Sequence, residues 1–134
     1  MNDALCLLAR REYSQKELTE RLKRQHPHDD VVLVVADCIE KRLLSDERFV
    51  EVRVRHRIQQ GYGPNWIAQD LRHHGIEPTL IADYLPKDED FWVAQAHRLI
   101  EKKMQTDHQK LQRFLYQKGY SQRSIIQALK MRDI

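Results

Sequence analysis

The chain has 134 residues, 41% apolar and 32% charged, with 23 Lys and Arg against 20 Asp and Glu for a net charge of +3. That charge density leaves too little apolar material for one large continuous core, and only four Gly and four Pro exclude a protein built from many tight β-turns. No apolar run approaches the ~18 residues of a membrane span, and residues 1–10 lack the charged and then hydrophobic blocks of a secretion signal, which points to a cytoplasmic protein without a membrane partner.

The opening residues place Ala4, Leu5, Leu8 and Ala9 on one helical stripe that ends at Tyr13. Ser14 and Glu17 then form a capping box, and a helix carrying Leu18 and Leu22 follows. Pro27 disfavours helical geometry at His26 and stops that helix. Residues 31–44 predict a helix with Val32, Val35, Ala36, Ile39 and Leu43 on its apolar side, although the run 31–35 also fits a buried strand. Cys6 and Cys38 fit no metal or redox spacing and sit among aliphatic residues, so both are expected as buried free thiols.

Ser45 is a good N-cap, with Asp46 and Glu47 complementing the helix dipole. The helix that follows, 49–60, breaks at Gly61, Tyr62 and Gly63. Pro64 can open the next helix because a first-turn residue needs no N–H, and Trp66, Ile67 and Leu71 carry it to Gly75. Pro78 restarts a helix through Ile81 and Leu85, closed by Pro86. Residues 91–104 predict another helix, Thr106 and Gln109 another capping box, and Leu111, Phe114 and Leu115 a core stripe ending at Gly119. Ser121 caps a last helix through Leu129.

A pattern recurs along these elements. Ile67, Leu71, Gly75, Ile76, Ile81 and Leu85 return as Leu111, Leu115, Gly119, Tyr120, Ile125 and Leu129, each 44 positions later. A degraded copy, Leu18, Leu22, His26, Pro27, Val32 and Ala36, stands 49 positions before the first set. The expected fold is therefore all-α: tandem three-helix units at 1–44, 45–86 and 87–134, stacked into an elongated, curved array. Gly75 and Gly119 fall just past helix ends, where a left-handed residue ends a helix cheaply.

Charge alternates along the chain. Residues 26–47 hold two basic against six acidic residues, 48–76 five against two, 77–97 one against five, and 98–134 nine against three. The basic stretches nominate a surface for phosphate or an acidic protein groove: Arg53, Arg57 and Arg72, then Lys102, Lys103, Lys110, Arg113, Lys118, Arg123 and Lys130, with Tyr116 as the aromatic outside the core stripe. Catalysis finds no footing. The His26, His28, Asp29, Asp30 cluster and the His73, His74 pair lack helical metal spacing, no nucleophile–base set has a recognisable setting, and Gly61-Tyr62-Gly63-Pro64 lacks the Lys-Ser/Thr of a phosphate loop. No catalytic residue, metal or cofactor is expected. A helix-turn-helix DNA reader over 67–85 and an adaptor for an acidic protein remain open beside a filament regulator.

The segments Ala9-Arg10-Arg11-Glu12-Tyr13-Ser14, Ser45-Asp46-Glu47-Arg48-Phe49 and Gly61-Tyr62-Gly63-Pro64, in register with the repeat, resemble the RecX family of bacterial recombination regulators. The resemblance implies a non-enzymatic protein that binds the RecA filament on DNA. There it would restrain RecA ATPase, strand exchange and the co-protease activity of the SOS response. The expected partners are that filament and single-stranded, with double-stranded, DNA, and the protein is expected to be a monomer. His26-Pro27 stands where that family has a Gly-aromatic pair, so the first unit is expected to turn differently.

Overall fold

The computed structural model describes residues 1–104 and 107–132, and all the regular structure among them is helical. The helices are α1 (Asn2–Arg10), α2 (Gln15–Lys23), α3 (His28–Glu40), α4 (Asp46–Gln59), α5 (Pro64–His73), α6 (Pro78–Tyr84), α7 (Glu89–Lys102), α8 (His108–Lys118) and α9 (Gln122–Arg132). The valine-rich run 31–35 is thus helical and not a strand.

Local chemistry sets most helix starts. Ser14 Oγ accepts from the Glu17 amide at 3.1 Å while Glu17 reaches back to the Ser14 amide, completing the capping box. Ser45 accepts from the Arg48 amide at 3.2 Å, and Ser121 from the Ser124 amide at 3.1 Å. Pro64 and Pro78 occupy the first turns of α5 and α6. The Thr106 member of the expected cap with Gln109 lies outside the described residues; α8 is capped by Asp107, which accepts from the Gln109 amide at 2.9 Å.

The apolar residues form two separate clusters. One gathers Ala4, Tyr13, Leu18, Leu22, Val31, Cys38 and Leu44 from α1–α3. The other runs without a break through α4–α9, from Phe49, Val50 and Ile67 to Leu111, Tyr120, Ile125 and Leu129, with α7 and α9 packed along their lengths. Between the clusters the link combines polar contacts with a close approach of Gly75 to the aliphatic stem of Lys16, whose Cβ would lie 2.8 Å from a Cβ at Gly75. The Gln15 amide donates to Asp46 at 2.8 Å, Arg48 pairs with Glu12 at 3.1 Å, and Lys16 Nζ donates to the His73 carbonyl at 3.2 Å. The accessible surface is 8829 Å², against about 7,400 Å² for a compact monomer of this mass, as expected of an all-helical tandem array that spreads along its repeat.

The first copy of the repeat departs from the expected register. Val31 is buried in α3, while Val32 is 49% exposed and Ile39 40% exposed. Val31 and the half-buried Val35 therefore occupy the places of Ile81 and Leu85, and the offset changes from 49 residues in α2 to 50 in α3. The cause is the turn: without a left-handed glycine, the His26-Pro27 connection is one residue shorter than the turns at Gly75 and Gly119, whose φ angles are +79° and +99°. The first helix differs too. Ala4 is buried, but Leu5 is 41% exposed and Ala9 also faces solvent. Cys38 is buried, and burial pushes its thiol pKa up, whereas Cys6 is exposed, contrary to expectation.

Candidate binding surface

The nominated basic residues separate into two groups. Arg53 and Arg57 are four residues apart on α4 and turn toward α5, where Asp70 sits between them. Arg53 grips it in bidentate fashion, Nε to Oδ2 at 2.9 Å and Nη2 to Oδ1 at 3.2 Å, and Arg57 Nε reaches Oδ2 at 3.5 Å. Arg57 also donates to Gln60 Oε1 at 2.5 Å and lies 5.3 Å from the Trp66 ring centroid. Their side chains keep only 22% and 19% exposure. Burial raises the Asp70 pKa, but the hydrogen bond and charge of Arg53, with His74 and Arg57, outweigh it and leave the carboxyl below its ordinary value.

Lys118, half-buried, and Lys103, still exposed, both lie over aromatic rings. Lys118 Nζ stands 4.3 Å over the Tyr62 ring, itself stacked on Trp66 at 3.8 Å, and Lys103 Nζ stands 3.9 Å over Phe114. These cations cover aromatic faces at the edge of the shared core, an interaction worth about 0.5–1 kcal/mol where solvent still reaches it.

The other residues look outward. Arg72, Lys102, Lys110, Arg113, Arg123 and Lys130 are exposed, and Tyr116 is 68% exposed. Leu111 and Leu115 bury the opposite side of α8, so at 100° per residue Arg113 heads its solvent face with Lys110 and Tyr116 each about 60° to either side. On α9, Ile125, Ala128 and Leu129 face inward and leave Arg123 and Lys130 outside, with Arg123 pairing loosely with Glu89 at 3.3 Å. The structure thus assembles Lys110, Arg113, Tyr116, Arg123 and Lys130 on the outside of α8 and α9, while Arg53, Arg57 and Lys118 hold helices together.

Asp70 is the organising residue that the sequence did not single out. Its only signal was one of two acids inside the basic stretch 48–76, which also holds an Arg pair at i, i+4. The α5–α6 pair, one possible helix-turn-helix by sequence, presents no Lys or Arg on α6; Tyr84 there donates to Glu47 in an acidic setting that pushes its phenol up to about 12. Among the described residues no three His, Cys, Asp or Glu side chains are grouped so as to hold a metal ion, and no helix is long and apolar enough to cross a membrane.

These features define a helical-repeat protein that offers outward charge. The profile of the RecX second three-helix domain matches residues 45–85. The regulatory protein RecX of Legionella pneumophila is 41% identical over 96% of this chain and 91% of its own length, and that of Pseudomonas entomophila is 32% identical over 98% and 90%. The crystal structure of RecX from Lactobacillus salivarius superposes with a TM-score of 0.85 at 23% identity, covering 98% of this chain and 93% of that one, a likeness of fold. The chain belongs to the RecX family of regulatory proteins.

Proposed function

We propose that this protein binds the RecA–DNA filament as a monomer in the cytoplasm and restrains RecA ATPase, strand exchange and co-protease activity without chemistry of its own. The observation that carries this reading is the outward basic face of α8 and α9, set on an extended array. Lys110, Arg113, Arg123 and Lys130, with Lys102 and Arg72, would meet phosphate or acidic filament surface, and Tyr116 would stack on a base or pack on a protein groove. Three units at 1–44, 45–86 and 87–134 would each touch a different stretch of filament. Weak contacts then multiply through effective concentration, and bridging neighbouring protomers would resist the motion that nucleotide turnover requires. Arg53, Arg57, Lys103 and Lys118 would support that face through Asp70, Phe114 and Tyr62.

The test is the single-stranded-DNA-dependent ATPase rate of RecA, titrated with this protein at two salt concentrations. Inhibition at well under one molecule per RecA protomer, weakening with salt, is the expected result. DNA binding without any inhibition would leave a DNA-binding module, and RecA binding without DNA would favour an adaptor.

A further inference from the structure

The basic face lies on α8 and α9, yet α1, α2 and the turn after α2 line a cleft of about 400 Å³ of their own. Asp3, Cys6, Leu7 and Arg10 fall at i, i+3, i+4 and i+7 and make one face of α1 line it. Arg21, Leu22, Arg24 and Gln25 line it from α2 and its C-terminal turn. Three guanidiniums therefore border one depression, and none of them forms an ion pair with a described residue. The carboxylate on these walls, Asp3, is engaged by His26, whose Nε2 lies 2.6 Å from Asp3 Oδ2. Arg21 and Arg24 also border a neighbouring depression with Glu17 and Glu20, where Glu17 is held by Arg11 at 3.0 Å.

Arg21 and Arg24 near the end of α2 complement its dipole, but that does not account for Arg10 arriving from another helix. Unpaired guanidiniums gathered around a cleft present forked donors matched to a phosphate, and Gln25 adds an amide. Leu7 and Leu22 supply an apolar wall suited to a sugar, and the volume is within the ~300–1,000 Å³ range of small-ligand sites.

We propose that the α1–α2 cleft is a phosphate-binding site that seats one sugar-phosphate of a nucleic-acid strand, apart from the basic face of α8 and α9. The proposal rests on the filament reading only for the source of the phosphate. A free nucleotide carries the same chemistry, and the test separates the two.

Cys6 makes the cleft observable, because it is exposed on its wall while Cys38 is buried. Alkylation of Cys6 in the full chain by iodoacetamide, a neutral reagent, would be followed by mass spectrometry alone, with a fifteen-residue oligothymidylate, and with ATP. Oligothymidylate is expected to slow alkylation in proportion to occupancy. The Arg21→Ala/Arg24→Ala double variant should lose that protection, and its plot of log affinity against log salt should flatten by about 0.7, the share of one single-strand phosphate. The Arg21→Lys/Arg24→Lys variant retains the charge and should recover part of the protection, with circular dichroism melts confirming that both variants fold. Protection by ATP and not by the oligonucleotide would retain the cleft and assign it to free nucleotide. No protection by either ligand, or protection unchanged in the alanine variant, overturns the site. RecA inhibition is measured separately, so an unprotected Cys6 beside intact inhibition sinks the cleft alone, and a protected Cys6 without inhibition sinks the filament reading alone.

Discussion

Gly63 and Gly119 meet backbone to backbone. The Gly63 amide donates to the Lys118 carbonyl at 2.7 Å, the Asn65 amide donates to the Gly119 carbonyl at 2.9 Å, and a Cβ built on Gly63 would lie 2.6 Å from the Gly119 carbonyl carbon. Only glycine allows that approach. Gly63→Ala should cost about 1–3 kcal/mol through overpacking. Gly119→Ala should cost more, because its φ of +99° is left-handed and its new methyl would meet Trp66 at 2.4 Å. Urea midpoints decide the matter, and an unchanged midpoint for either variant would show that the close approach yields freely.

Asp70 holds two half-buried arginines, so Asp70→Asn should lower stability at pH 7 by about 1–2 kcal/mol, below the cost at a fully buried pair because solvent still reaches both guanidiniums. The folded carboxyl titrates below its ordinary value, so its contribution is complete above about pH 4 and disappears as pH falls through the lower folded pKa. Wild type and variant should therefore converge in acid. Denaturation at pH 7 and pH 3 tests this, and a gap that does not narrow between the two would contradict it.

Tyr120 is buried and donates to the Gly61 carbonyl at 3.1 Å, and desolvation pushes its pKa up to about 12. Its raised folded pKa means that the contribution is complete below about pH 10 and is lost as pH rises through about 12. Absorbance titration should show two late phenols, of which Tyr120→Phe removes one and Tyr84→Phe the other. Tyr120→Phe should also cost about 1 kcal/mol for the hydrogen bond.

Charge reversal of Lys110, Arg113 and Lys130 together should weaken filament binding and flatten its salt dependence by about 0.7–0.9 for each phosphate no longer neutralised. These side chains are exposed, so the melting temperature should hardly move. Lys118 is left out because its ammonium covers Tyr62. Unaltered inhibition of RecA ATPase by the triple variant would remove the α8–α9 face from the mechanism.

What could be read in advance was local or periodic. Ser14, Ser45 and Ser121 cap helices through bonds spanning three residues, which sequence spacing displays directly. The apolar residues repeating at 44 positions expose their own alignment, and the second and third copies face inward as that spacing implies. The face of α3 was not legible, since an unbroken aliphatic run has no helical period and the shortened turn at Pro27 shifts it by one residue. Arg53 and Arg57 read as a binding pair because Asp70, 17 and 13 residues away, reveals itself only when α5 folds against α4. Gly119 was legible as a helix end, while its second role depends on Gly63, far away in sequence and adjacent in space.

The difference between the two joints bears on how such an array can be lengthened or recombined. Between α1–α3 and α4–α6 the apolar clusters are separate and the link is made by side-chain charge, hydrogen bonds and the Lys16 stem against Gly75, so a graft there has to supply a matching polar edge and a side chain that fits over that glycine. Between α4–α6 and α7–α9 the core is continuous and the backbones are in register at Gly63 and Gly119, so any inserted module must reproduce both glycines and the aromatic stack beside them. An exchange at the front joint would have to satisfy polar contacts and one glycine, whereas α4–α9 share one core and would have to be exchanged together.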